Sequence, residues 1–379
     1  LGALLLIATR GPLAEIALGS ASRGSDVLIL APALLLGVAA GVQLALLTGH
    51  HRVRQVVAVN IGTAVAAAGF GVVIVATNGE AGLSSALLVT AGVQLALSWV
   101  ARRRATRTMG NGARDLTAAA AQDLLRVGLP VAGSQLASGG AMLVAPLLVL
   151  QQLGTVEVGY YRAATAISVG YLTFFLAALT QDYLPRISAA SDGADMAALV
   201  ERRMRLVLGL GMPLILGLLA AGPVLVELLY TSDFAPAFSV LQWQLVGDLL
   251  RLPAWVLAFV LVARKSSSAY FGAELISGLT LIGGTLVGLA LVGLSGAGVG
   301  YAVSQGLYYL VVWLLVRGRV PTVPGRLQAL VLVAATASSI VLIAELSTLQ
   351  RSALFGAAAL VLAALAWPRI YRLHRTGEL

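Results

Sequence analysis

The residues able to do chemistry concentrate in Leu241–Ile276, LQWQLVGDLLRLPAWVLAFVLVARKSSSAYFGAELI. This run is long enough to cross a bilayer, yet it carries Gln242, Gln244, Asp248 and Arg251. An ionised side chain is expensive in hydrocarbon, so such residues face a bundle interior or a watery cavity. Gln244, Asp248, Arg251 and Trp255 follow i, i+4, i+7, i+11 and share one helix face. Pro253 removes a backbone donor beside them, which predicts a kink. Two readings stay open. Asp248 and Arg251, at i, i+3, could form a closed structural ion pair, or the face could line a cavity for a substrate or ion. Glu274, two to three turns inside the following span, suits a proton or cation site equally with neutralising Arg264 or Lys265.

The elements that position these residues are read from composition. The 379 residues are 59% hydrophobic and 11% charged, far below the charge of a soluble domain. Repeated apolar runs predict a polytopic all-α membrane protein. Twelve spans are expected: 1–20, 27–48, 53–77, 81–101, 124–153, 159–184, 206–230, 238–263, 270–294, 297–316, 327–349 and 353–367. A polar connection containing Ser188–Arg205 is expected between the sixth and seventh. Every second loop is basic, marking one side as cytoplasmic. That side holds Arg52 and Arg54, the cluster from Arg102 to Arg114, Arg186 with Arg202, Arg203 and Arg205, then Arg264 and Lys265, Arg317, Arg319 and Arg326, and the tail. The net charge of +9 is therefore a topology signal and not a nucleic-acid footprint. With no cysteine, disulfides and thiolate metal sites are excluded. No paired-carboxylate, metal or nucleophile constellation points to an enzyme, and no cofactor is implied.

An internal echo is visible. LLTGHHRVRQVVAVNIG, from Leu46 to Gly62, resembles LVARKSSSAYFGAELISG, from Leu261 to Gly278. A shift of about 214 residues brings His50 onto Arg264, His51 onto Lys265 and Asn60 onto Glu274. A parallel repeat is the expectation.

The words WQLVGD and VARKSSSAYFGAELI, together with VGYYRAATAISVGYLTFFLAALTQDYLPRIS and LLYTSDFAPAFSVLQWQLVGDLLR, resemble the polysaccharide (O-antigen and common-antigen) flippases of the MOP exporter superfamily. The resemblance runs over nearly the whole chain and is strongest from Val158 to Ile276. It implies two six-helix lobes around a central cavity, as in MATE transporters. By this correspondence the first span is the family's third, with two N-terminal helices absent. The implied organisation is an N-terminal lobe over 1–101, a basic cytoplasmic linker over 102–124, and a C-terminal lobe over 125–318. A basic loop, two additional spans and a tail then fill 319–379. The implied function is alternating-access transfer of an oligosaccharide on undecaprenyl diphosphate to the outer leaflet of the cell membrane.

The implied partners are that lipid-linked glycan, membrane lipids, and a polysaccharide polymerase with its chain-length proteins; nucleic acid is not among them. A diphosphate needs cations in a low-dielectric path, so Arg162 and Arg251 are candidates to hold it. Gln244, Asp248 and Trp255 join them as substrate-binding candidates, and Asp248 and Glu274 are coupling candidates. Tyr160, Tyr161, Gln181 and Trp243 could also line a sugar path. Even so, Tyr160, Tyr161, Tyr308 and Tyr309 suit an interfacial belt better. Asp182 and Arg186 read as an ion pair at the cytoplasmic end. The rival reading within the superfamily is a multidrug antiporter, which Asp248 and Glu274 would suit and the arginines would oppose.

Overall fold

Membrane-length apolar segments satisfy their backbone groups internally, and helices do so within one segment. The computed structural model describes residues 7–11, 24–49, 52–79, 82–106, 118–190, 193–264, 266–317, 326–345 and 347–375. Most of the expected first span, together with Lys265, Arg107, Arg114 and Arg319, lies outside them. Eleven long helices run through the described residues. They are α1 (Gly24–Gly49), α2 (Val53–Asn78), α3 (Gly82–Thr106), α4 (Ala118–Gln152), α5 (Thr155–Ala189), α6 (Ala194–Leu229), α7 (Ala237–Ala263), α8 (Ser267–Val292), α9 (Leu294–Val316), α10 (Arg326–Glu345) and α11 (Thr348–Arg375). Eight helices among the described residues are long and apolar enough to cross a membrane.

The chain divides into two units, Leu1–Asp115 and Leu116–Leu379. In the first, α3 packs against both α1 and α2. In the second, α7 is the hub, touching α5, α6, α8, α9 and α10, while α8 also packs on α4 and α11 on α6. Helices in the middle of a bundle are buried on most sides, and α7 is such a helix: 17 of its 27 residues are buried, Gln244 and Asp248 among them. It runs unbroken through the buried Pro253.

Small residues let these backbones approach closely. Along α8 and α9, a Cβ added at Gly284 would lie 3.0 Å from the Gly300 Cα, and Gly288 and Gly296 face each other across the same seam. Gly247 does the same for α7 and α9, where an added Cβ would meet the Tyr301 ring at 2.8 Å.

One expectation is corrected. Ser188–Arg205 is not a polar connection: α5 runs to Ala189 and α6 starts at Ala194. Met196, Val200 and Met204 are buried at helical spacing, and Glu201 and Arg205 pair at 4.0 Å. Hydropathy marks where hydrocarbon ends, whereas an amphipathic helix continues for as long as one face stays packed.

The internal echo reappears as structure. α2 and α8 each contain 26 residues, and their starts, Val53 and Ser267, differ by the shift read from the sequence. The preceding caps have matching backbones, with φ −86°, ψ 51° at Arg52 and φ −84°, ψ 50° at Ser266. Their amides reach the equivalent carbonyls of Leu47 and Leu261, both at 2.9 Å. The closing glycines, Gly79 and Gly293, share the left-handed φ of 60° and 63°, which favours glycine. In the next helix of each unit an arginine covers a tryptophan ring, Arg103 over Trp99 and Arg317 over Trp313. Each unit therefore holds a copy of one three-helix motif.

Candidate functional site

Within the second unit, five helices bring together side chains that the sequence scatters. Asp248 on α7 is fully buried and is met by three hydroxyl donors. Ser168 Oγ and Tyr171 OH, both on α5, donate to its Oδ2 at 2.7 and 3.2 Å. Tyr301 OH, on α9, donates to Oδ1 at 2.8 Å. A carboxylate that accepts only is suited to three donors. The Tyr301 oxygen in turn accepts from Arg251 Nη1 at 3.0 Å. Among the described residues no contact within 4.0 Å joins Asp248 to Arg251, so the closed i, i+3 ion pair does not form. The phenol stands between them.

Gln244 lies one turn before Asp248. Its Nε2 donates to Thr165 Oγ1 at 2.9 Å, while its buried Oε1 has no partner. Beyond Arg251 the polar face opens into a cavity of about 370 Å³. Arg251, Trp255 and Phe259 form its α7 wall, Tyr270, Glu274 and Ser277 its α8 wall, Tyr301, Gln305 and Tyr308 its α9 wall, and Gln135 and Ser138 its α4 wall. Tyr308 OH donates to Glu274 Oε1 at 2.6 Å, and Ser304 Oγ to the Ser277 carbonyl at 2.8 Å. The Trp255 and Phe259 rings pack edge to face at 4.8 Å and both touch Tyr183. The cavity lies in the halves of α7 and α8 nearest the turn at Arg264, which Val262 and Tyr270 on its wall flank, and against the middle of α9.

Of the residues singled out from sequence, Arg251, Trp255 and Glu274 share this cavity, while Gln244 and Asp248 sit behind its wall. Arg162 stands apart, exposed on α5 and outside the cavity lining. The side chains of Gln181 and Asp182 lie outside the described set. The belt reading fails for two tyrosines: Tyr161 and Tyr308 are 2% and 7% exposed, and Tyr308 holds a cavity carboxylate. Tyr160 instead packs edge to face on Phe234 at 5.5 Å. Sequence reasoning passed over Ser168, Tyr171 and Tyr301. Hydroxyl side chains are unremarkable in spans, and these partners lie 80, 77 and 53 residues from Asp248.

Comparison with known proteins now bears on this arrangement. The family described as "Polysaccharide biosynthesis protein" matches residues 1–239. The chain belongs to this family. The match includes α5, with Ser168 and Tyr171, and ends before Asp248. The Lipid III flippases of Escherichia coli (strain K12) and Shigella flexneri are each 29% identical over 126 residues, which is 33% of this chain and 30% of theirs. The chain thus matches under a third of those relatives' length. Among solved structures, a Vibrio cholerae MATE transporter, VcmN, superposes with TM-score 0.66 at 17% identity, covering 83% of this chain and 75% of its own. Lipid II flippase MurJ, inward closed, does so with TM-score 0.64 at 12% identity, covering 92% and 74%. This member of the polysaccharide biosynthesis protein family is therefore a multi-pass membrane protein with the fold of MOP-superfamily transporters.

Proposed function

We propose that the chain works as a flippase for glycans carried on undecaprenyl diphosphate, moving them by alternating access to the outer leaflet of the cell membrane for surface polysaccharide synthesis. The observation that carries this reading is the cavity within the second unit, where polar side chains of four helices converge on a partly apolar lining. Its Trp255 and Phe259 rings, two glutamines and tyrosine hydroxyls are the partners a sugar needs, and an apolar bundle has no packing use for the glutamines. Family membership and the match to Lipid III flippases support the same class of cargo. Transport requires no bond to be made or broken, so the side chains bind and orient. A polymerase and chain-length proteins would take the product.

Charge divides the cargo between sites. Arg251 and Glu274 line the cavity as one cation and one anion, with Asp248 behind them. A diphosphate brought there would meet no net positive charge, and in low dielectric an unbalanced charge is costly. The cavity therefore suits the sugars, and Arg162, outside it, is the candidate for the diphosphate. Glu274 is the coupling candidate that the cavity reaches. The same balance favours a second reading, a MATE-type antiporter of organic cations.

The two readings part in one experiment. The protein is reconstituted in vesicles and offered lipid-linked oligosaccharides extracted from host membranes, or ethidium. Transfer of the former, reduced at least tenfold by Arg162→Gln and by Glu274→Gln with membrane insertion intact, is expected. Ethidium exchange without lipid transfer would replace the flippase by the antiporter.

A further inference from the structure

We infer that Tyr301 is a positioning residue which, backed by Asp248, pins the Arg251 guanidinium at the cavity wall, and that the three act as one unit. The inference rests on the flippase reading only in taking Arg251 to meet the cargo.

Three observations carry it. A phenol has one proton, and Tyr301 OH gives it to Asp248 Oδ1 at 2.8 Å. Its lone pair then faces Arg251 Nη1 at 3.0 Å. The buried carboxylate thus fixes which way the hydroxyl points, and the hydroxyl fixes one arm of the guanidinium. Charge-assisted bonds of this kind are the strong ones. Second, Asp248 is fully buried with three donors and is absent from the cavity lining, whereas Tyr301 and Arg251 both belong to it. Asp248 therefore acts through Tyr301 and does not touch the cargo.

Third, the internal repeat supplies a control within the chain. The shift that superposes the caps and the arginine–tryptophan pairs places Leu34, Gly37 and Leu87 where the second unit has Asp248, Arg251 and Tyr301. The three-helix motif is therefore built once without the triad. Assembling these helices does not require it, so its presence in one copy points to work on a ligand. Gly247 completes the picture: any side chain there would strike the Tyr301 ring, so the phenol's path to Asp248 is kept open.

The test joins Tyr301→Phe, Asp248→Asn and the double variant in reconstituted transport of host lipid-linked oligosaccharides. Tyr301→Phe is expected to raise the apparent KM about tenfold with a smaller change in maximal rate. Asp248→Asn should raise it less, and the double variant should match Tyr301→Phe alone. Losses that multiply, or an unchanged KM beside a lowered melting temperature, would overturn the unit and leave Tyr301 a packing residue. A second readout needs no cargo. In nanodiscs with 15N-arginine, the Arg251 Nη signals, assigned by their disappearance in Arg251→Lys, should exchange slowly in the parent and rapidly in Tyr301→Phe. Rapid exchange in the parent would refute the pinning even if transport were normal, and slow exchange lost in Tyr301→Phe would sustain it even if no lipid were flipped.

Discussion

Tyr308 and Asp248 differ in how much water can repair a lost bond. Tyr308→Phe deletes a 2.6 Å hydrogen bond to Glu274, but Glu274 lines the cavity and water can take the phenol's place. A cost of about 1–2 kcal/mol is expected. Asp248→Ala instead removes, behind the wall, the acceptor of three hydroxyls, and leaving such donors unsatisfied should cost about 3 kcal/mol or more. Chemical unfolding in detergent would compare them, and equal losses would contradict the division between wet wall and dry anchor. Asp248, Arg251 and Glu274 were legible in the sequence because charge stands out against an apolar background. Their grouping was not. Periodicity along α7 placed Asp248 and Arg251 on one face and invited a direct pair, whereas the phenol between them comes from another helix. Arg162 shows the converse, since an intramembrane arginine is equally conspicuous in sequence whether it enters a cavity or stands outside one.

At the scale of helices, glycines with the same letter have opposite duties. On α8, Gly283 would give a Cβ nothing within 4 Å, so alanine there should stabilise by about 0.5–1 kcal/mol through helix propensity. On α9, an added Cβ at Gly300 would press into the backbone of Gly284 and Thr285, and neither can yield without parting the helices. Gly300→Ala should cost about 1–3 kcal/mol as overpacking. Melting temperatures of the two alanine variants should therefore move in opposite directions, and a shared direction would mean that α8 and α9 do not meet along this seam. Span positions were legible because twenty apolar residues have few alternatives. The seam was not, because forty-two glycines give no sign of which ones meet a backbone. Helix ends were misjudged where α6 extends past its apolar core along a face that stays packed.

For the molecule as a whole, the basic loops and the cavity make one joint statement. The distribution of basic residues predicts that Arg52, Arg104, Arg203, Arg264 and Arg319 all lie on the cytoplasmic side, and the cavity occupies the end of α7 that leads to Arg264. Asp233 lies before the other end of α7, roughly 40 Å away at 1.5 Å per residue. A cargo made in the cytoplasm would thus meet the cavity on its own side. Because the chain has no cysteine, single-cysteine variants report without background. Cysteines at the five arginines should resist an impermeant thiol reagent in intact cells and react in inside-out vesicles, while one at Asp233 should do the reverse. Val262→Cys, on the cavity wall, should behave like the cytoplasmic set and be protected when host lipid-linked oligosaccharide is added to the vesicles. Labelling of Val262→Cys in intact cells, with the Arg264 variant silent, would place the cavity's mouth on the outer side and reverse the direction of loading, even though the loop topology stood.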